Sequence, residues 1–123
     1  MVIIFKENNK AIYLQIADTI AERILAGSLS PGERLPSVRE YAASVQVNPN
    51  TMMRTYESLS QQGLIYNRRG IGFFVADDAP DTIARMKREE FLNGEIFDMF
   101  RQLELLKVSP DELKSKYIQY LQR

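Results

Sequence analysis

The chain contains no cysteine, no histidine and no tryptophan, and its 16 lysines and arginines are matched by 16 aspartates and glutamates. Without cysteine there is no disulfide, no thiolate nucleophile and no zinc–thiolate site. Without histidine the commonest general base and the commonest metal ligand are both missing. Serine–histidine and cysteine–histidine catalysis are thereby excluded, leaving only carboxylate, lysine, tyrosine or unassisted serine chemistry. Long apolar runs are also lacking. After Met1 the chain is apolar through Val2-Ile3-Ile4-Phe5 and turns polar at Lys6. A membrane span needs ~18 or more apolar residues, and a secretory signal needs a basic start and a longer apolar stretch. The expectation is a soluble, cytoplasmic protein with no membrane association.

What remains is 123 residues, 45% of them hydrophobic. That suits one domain, or a small domain with an appendage, because a chain of this size has apolar mass for one real core and not for two. Charge is unevenly spread. Up to Val75, eight basic residues face six acidic ones, so the front part carries +2 and the remainder −2. So small an excess means that any anion-binding site must be local.

Periodicity and punctuation predict the elements. A helix begins at Ala11, with Tyr13, Ile16, Ala17, Ile20 and Ile24 spaced for one buried face, and stops at Gly27. Ser30-Pro31-Gly32-Glu33 fits a type II turn. Ser37 and Glu40 have capping-box spacing, so a short second helix opens at Ser37 and buries Val38, Tyr41, Ala42 and Val45. Asn48 caps a third helix with Pro49 at its first position; it runs to about Gln62 and buries Met52, Tyr56 and Leu59. Leu64–Asn67 and Phe73–Val75 are β-prone, and Arg68-Arg69-Gly70-Ile71-Gly72 supplies a hairpin tip between them. Met1–Phe5 reads as a short extended segment. Three helices followed by a hairpin describe a winged helix-turn-helix.

Asp77-Asp78-Ala79-Pro80 marks a boundary, giving domains 1–77 and 78–123. From Asp81 to Lys107 an apolar stripe predicts a helix about 40 Å long if unbroken, which Gly94 could bend. Ser109-Pro110-Asp111-Glu112 opens a last helix carrying Leu113, Tyr117, Tyr120 and Leu121. Residues 76–123 hold too few elements for a closed core of their own. Their apolar stripe either folds back on the first domain or pairs with a second copy, and the second arrangement is expected. Leu92, Ile96, Met99, Phe100, Leu103, Leu106, Leu113 and Tyr117 are the expected dimerisation residues. The fold class is thus mainly α: a winged helix-turn-helix, three helices plus a β-hairpin wing, followed by a two-helix C-terminal dimerisation tail.

The best candidates for function lie at the start of the third helix. Asn48, Asn50 and Thr51 are short polar groups beside free helix amides, which bind phosphate, and asparagine also pairs with the N6/N7 edge of adenine. Arg54, one turn on, can reach a phosphate or a guanine. Equally, the asparagines could merely cap and Arg54 be solvated. Arg39, near the start of the second helix behind Ser37, opposes the helix dipole, so a phosphate partner or a salt bridge to Glu40, Glu33 or Asp18 is needed to explain it. Arg68 and Arg69 beside Gly70 suit a wing that enters the minor groove or touches backbone. The carboxylate pairs Asp77-Asp78, Glu89-Glu90 and Asp111-Glu112 form no recognisable catalytic or calcium-binding pattern and read as solvated surface. No cofactor, metal site or enzymatic activity is expected. A winged helix used for protein–protein contact is the alternative, with zero net charge as its main support.

The runs Ile12–Ile16, Gly27-Ser28-Leu29-Ser30-Pro31-Gly32-Glu33-Arg34-Leu35-Pro36-Ser37-Val38-Arg39-Glu40, Val47–Thr51, Gly63-Leu64-Ile65 and Arg69–Val75 resemble the GntR family of bacterial transcription regulators. The Asn-Pro-Asn-Thr segment and the short tail resemble its YtrA subfamily. That resemblance implies a homodimer, usually a repressor, on a palindromic double-stranded DNA operator. DNA contacts are implied from Arg39, from Asn48-Pro49-Asn50-Thr51 and from the wing at Arg69-Gly70. It leaves room for an unidentified small-molecule effector, although residues 76–123 are too few for the effector-binding or aminotransferase-like domains of larger relatives. Two positions depart from the pattern. Met53 stands where many relatives carry arginine, and Leu106-Lys107-Val108-Ser109 lacks the glycine often found between the tail helices.

Overall fold

The computed structural model describes residues 10–123, so the extended segment expected at Met1–Phe5 lies outside the described residues. Helix α1 spans Ile12–Ala26 and turns Ile16, Ala17, Ile20, Ala21 and Ile24 inward. It ends where Gly27 enters the left-handed region at φ 89°, a conformation that costs glycine nothing. The following turn closes as expected, with the Glu33 amide donating to the Ser30 carbonyl at 3.0 Å and Gly32 at φ 80°.

Helix α2, Val38–Val45, starts with the predicted capping box: the Glu40 amide donates to Ser37 Oγ at 3.1 Å, and the Ser37 amide donates to Glu40 Oε1 at 3.3 Å. Gln46 then takes the left-handed conformation at φ 60° and turns the chain toward helix α3, Pro49–Gln61. Helix α3 packs against both α1 and α2. Two adjacent residues of α3 hold it in place. The fully buried Thr55 hydroxyl lies 2.8 Å from the Tyr13 carbonyl of α1 and 3.1 Å from the Thr51 carbonyl. Tyr56 donates its hydroxyl hydrogen to the Pro36 carbonyl at 2.6 Å, just ahead of the α2 cap. The Tyr56 ring meets Tyr41 and Phe73 edge-on, with centroids 6.3 and 5.1 Å away.

Strands β1, Ile65–Arg68, and β2, Gly72–Val75, pair antiparallel in the register Ile65↔Val75, Tyr66↔Phe74, Asn67↔Phe73 and Arg68↔Gly72. Sequence periodicity did not reveal a third contributor: Arg34 bridges Phe74, and the Leu35 amide donates to the Phe73 carbonyl at 2.8 Å. The wing is thereby tied to the segment that leads into α2. Gly72 lies against the Arg34 side chain, and a Cβ there would stand 3.0 Å from Arg34 Nε.

Helix α4, Ala79–Glu90, begins inside the first compact unit, Met1–Arg85, whose core includes Ala79 and Ile83. The second unit is Met86–Arg123. Here the helical backbone passes through a π turn, Phe91–Glu95, which contains Gly94, before helix α5, Ile96–Leu105. Helix α6, Pro110–Leu121, is capped by Ser109, whose Oγ accepts from the Glu112 amide at 3.1 Å. No residue of the π turn, α5 or α6 is buried. Among the described residues, no helix is long and apolar enough to cross a membrane.

Candidate nucleic-acid interface

The residues expected to contact DNA fall in the N-terminal halves of two helices and at one hairpin tip, all within the first compact unit. At α2, the Ser37 hydroxyl is committed to its cap. Arg39 is exposed, and each of the three carboxylates expected as its partners makes a different contact. Glu40 accepts from the Ser37 amide, Glu33 accepts from the Ser30 amide at 3.0 Å, and Asp18 pairs with Lys10. Among the described residues Arg39 forms no ion pair. A guanidinium is thus held at the positive end of a helix dipole with no ion pair among the described residues, an arrangement that favours an external anion.

At α3, Asn48 Oδ1 accepts from the Asn50 amide at 2.7 Å, and the Met52 amide donates to the Asn48 carbonyl at 3.1 Å. Pro49 has no amide hydrogen to satisfy. The Thr51 amide is the first-turn donor left without an acceptor in the helix. Asn48 therefore spends its oxygen on the cap, whereas the Asn50 side chain is exposed and uncommitted among the described residues. Thr51 is half-buried. Asn50, Met53, Arg54 and Glu57 are exposed at steps of three and four and form one outward strip along the helix. Arg54 lies with its guanidinium carbon 4.1 Å from the centre of the Tyr13 ring, a cation–π contact that restricts its swing.

The wing separates its two arginines. Arg68 is laid over Phe74 at 5.5 Å, and Phe74 in turn stacks on Tyr66 at 5.8 Å. Arg69, beside Gly70 at the tip, is exposed and has no ion pair among the described residues. Residue type and spacing do not separate these arginines, nor do they reveal Tyr13 as the platform for Arg54 or Arg34 as the side chain beside Gly72 at the tip end of the wing. No local signal marks either, since each contact joins segments distant in the chain.

Of the residues expected in dimerisation, Leu92, Met99, Phe100, Leu106 and Tyr117 are exposed, while Ile96, Leu103 and Leu113 are half-buried. Phe91, Phe97, Leu105, Ile118, Tyr120 and Leu121, absent from the expected set or not assigned to it, are exposed as well.

A capped helix pair, a following hairpin and unneutralised arginines at α2 and the wing tip define a winged helix-turn-helix DNA-binding domain. Residues 12–75 match the family described as bacterial regulatory proteins, gntR family, and the chain belongs to that family. It is a transcriptional regulator, as are its relatives, which are not enzymes. The HTH-type transcriptional regulator YhcF of Bacillus subtilis is 40% identical over 108 residues, covering 87% of each chain. The HTH-type transcriptional repressor YtrA of the same organism is 37% identical over 87 residues, 71% of this chain and 67% of YtrA. A GntR-family regulator from Bacteroides thetaiotaomicron superposes with a TM-score of 0.78 at 50% identity, over 92% of this chain and 98% of that one. The DNA-binding domain of AraR, solved with operator ORX1, superposes with a TM-score of 0.55 at 26% identity, over 62% of this chain and 95% of that one.

Proposed function

We propose that the protein is a repressor that binds a palindromic operator as a homodimer. In this reading Arg39 and Arg69 hold phosphates, the Thr51 amide holds another, and Asn50 and Arg54 face base edges. The winged helix-turn-helix through residue 77 reads DNA, and the tail from residue 78 joins two copies. The observation that carries it is Arg39, exposed at the start of α2 with no ion pair among the described residues. An exposed apolar surface with no buried residue in α5 or α6 supports pairing of tails. The repressor YtrA and the operator-bound AraR domain among its relatives support the role.

Selection of duplexes from a random pool, followed by titration of the enriched sequence at several salt concentrations, tests this directly. The expected product is an inverted repeat whose half-sites lie ~34 Å apart or slightly less. Affinity should fall with salt on a log–log slope near −0.9 per phosphate neutralised. A pool that stays unenriched, or affinity indifferent to salt, would refute the operator-binding function. An enriched motif without two-fold symmetry would refute the homodimer.

A further inference from the structure

Met53 is 43% exposed in the middle of the outward strip of α3, with Asn50 one turn before it and Glu57 one turn after. A single exposed apolar side chain is ordinary on a protein surface. This one stands among the polar groups that the proposed function turns toward base edges, and that changes what it can do. On a helix with 3.6 residues per turn, Asn50, Met53, Arg54 and Glu57 lie within an arc of about 100°. A helix that brings Asn50 and Arg54 to the major groove therefore brings Met53 there too.

The chemistry of the side chain then limits its partner. A thioether donates no hydrogen bond and accepts only weakly. The major-groove edges of guanine, adenine and cytosine offer donors and acceptors. Methionine against them strips water from those groups without replacing its hydrogen bonds, which is unfavourable. The one apolar feature in the groove is the C5-methyl of thymine. An unbranched chain with several rotatable bonds can reach and cover that methyl.

We propose that Met53 is a specificity-determining residue that reads the C5-methyl of one thymine in each half-site. This rests on the DNA-reading function proposed above, and the experiment separates the two. In the operator enriched from the random pool, each thymine is replaced singly by deoxyuridine, which removes the methyl and keeps every hydrogen-bonding group. The intact native protein and Met53→Ala are titrated against each duplex. At one thymine per half-site the native protein should lose about fourfold in affinity, the worth of one buried methyl, while Met53→Ala is indifferent to the change. Met53→Arg, reselected on the pool, should exchange that A·T pair for G·C, because arginine pairs bidentately with guanine. The exposed position lets both variants fold, which equal melting temperatures verify.

A uracil scan with no position that distinguishes native protein from Met53→Ala overturns the proposal and leaves operator binding intact. The same uracil loss in native protein and Met53→Ala assigns the methyl to another side chain, and overturns it equally. Failure of the pool to enrich any sequence removes the DNA-reading function and this inference together.

Discussion

Arg39 and Arg54 differ in what holds them, and the difference predicts different behaviour. Arg39 has no partner among the described residues, so its charge is available in full to a phosphate. Arg39→Ala should weaken binding to every duplex by a similar factor and reduce the salt slope by about 0.9 per protomer, about 1.8 for the dimer, read from titrations of specific and random DNA. Asn50→Ala should instead lower the ratio between those two affinities, by about 1–3 kcal/mol of discrimination. A uniform loss from both substitutions would contradict the role given to Asn50. The importance of Arg39 is legible in the sequence, because a cation in the first turn of a capped helix is out of place. The stacking of Arg54 on Tyr13 is not legible, since the two residues are far apart in sequence and meet only once α1 and α3 pack.

Tyr56 is the residue that joins recognition to stability. Its hydroxyl closes α3 onto the Pro36 carbonyl at 2.6 Å, next to the cap that positions Arg39. Burial pushes its phenol well above the ordinary value near 10, with Tyr41 and Glu40 adding to the shift and Arg23 opposing it. Tyr56→Phe should cost about 0.5–1.5 kcal/mol at pH 7, measured by urea unfolding, because the hydrogen bond to the Pro36 carbonyl is lost. The raised pKa fixes the sign of the pH dependence. The folded state favours the neutral phenol, so the stabilisation is fully present below the unfolded pKa near 10 and is lost as pH rises above it toward the folded pKa. The native protein should therefore lose its advantage over Tyr56→Phe above about pH 10. An advantage that stays constant there would disprove the assignment.

Among the elements, those with chemical punctuation were readable and those defined by backbone choice were not. Ser37, Asn48 and Ser109 each carry a cap whose geometry follows from residue type and spacing. Gln46 and Lys107 occupy left-handed positions, φ 60° and 57°, at helix ends where glycine is the ordinary choice. Nothing in the letters announces this; the Leu106–Ser109 link lacks its usual glycine and the backbone makes the turn anyway. The π turn is similarly hidden. Its Ile96 amide donates to the Phe91 carbonyl, five residues back, so a stripe counted at constant 3.6-residue spacing loses phase there. Gln46→Gly should stabilise the first unit by about 0.5–1 kcal/mol, since relief of the left-handed strain exceeds the added flexibility of the unfolded chain. Urea unfolding measures it, and a loss of stability would show that the Gln46 side chain contributes more than its backbone strain costs.

For the whole molecule, the placement of Ala79 and Ile83 in the first core decides how the dimer can be tested. A truncation at the polar break after Asp78 would remove both residues and expose the core they fill, confusing unfolding with dissociation. Substitution within the second unit avoids this. Phe100 is exposed, meets Phe97 edge-on at 5.5 Å, and belongs to an element in which no residue is buried. In a lone chain an aspartate at that position would sit in water at little cost. In a paired tail the same carboxylate would be desolvated against an apolar partner, which is strongly unfavourable. Phe100→Asp should therefore leave the melting of the first unit unchanged, convert the protein to a monomer by light scattering, and weaken operator binding far more than half-site binding, because two linked readers share one effective concentration. A variant that remains dimeric with native operator affinity would place the contact between copies elsewhere than on Phe100.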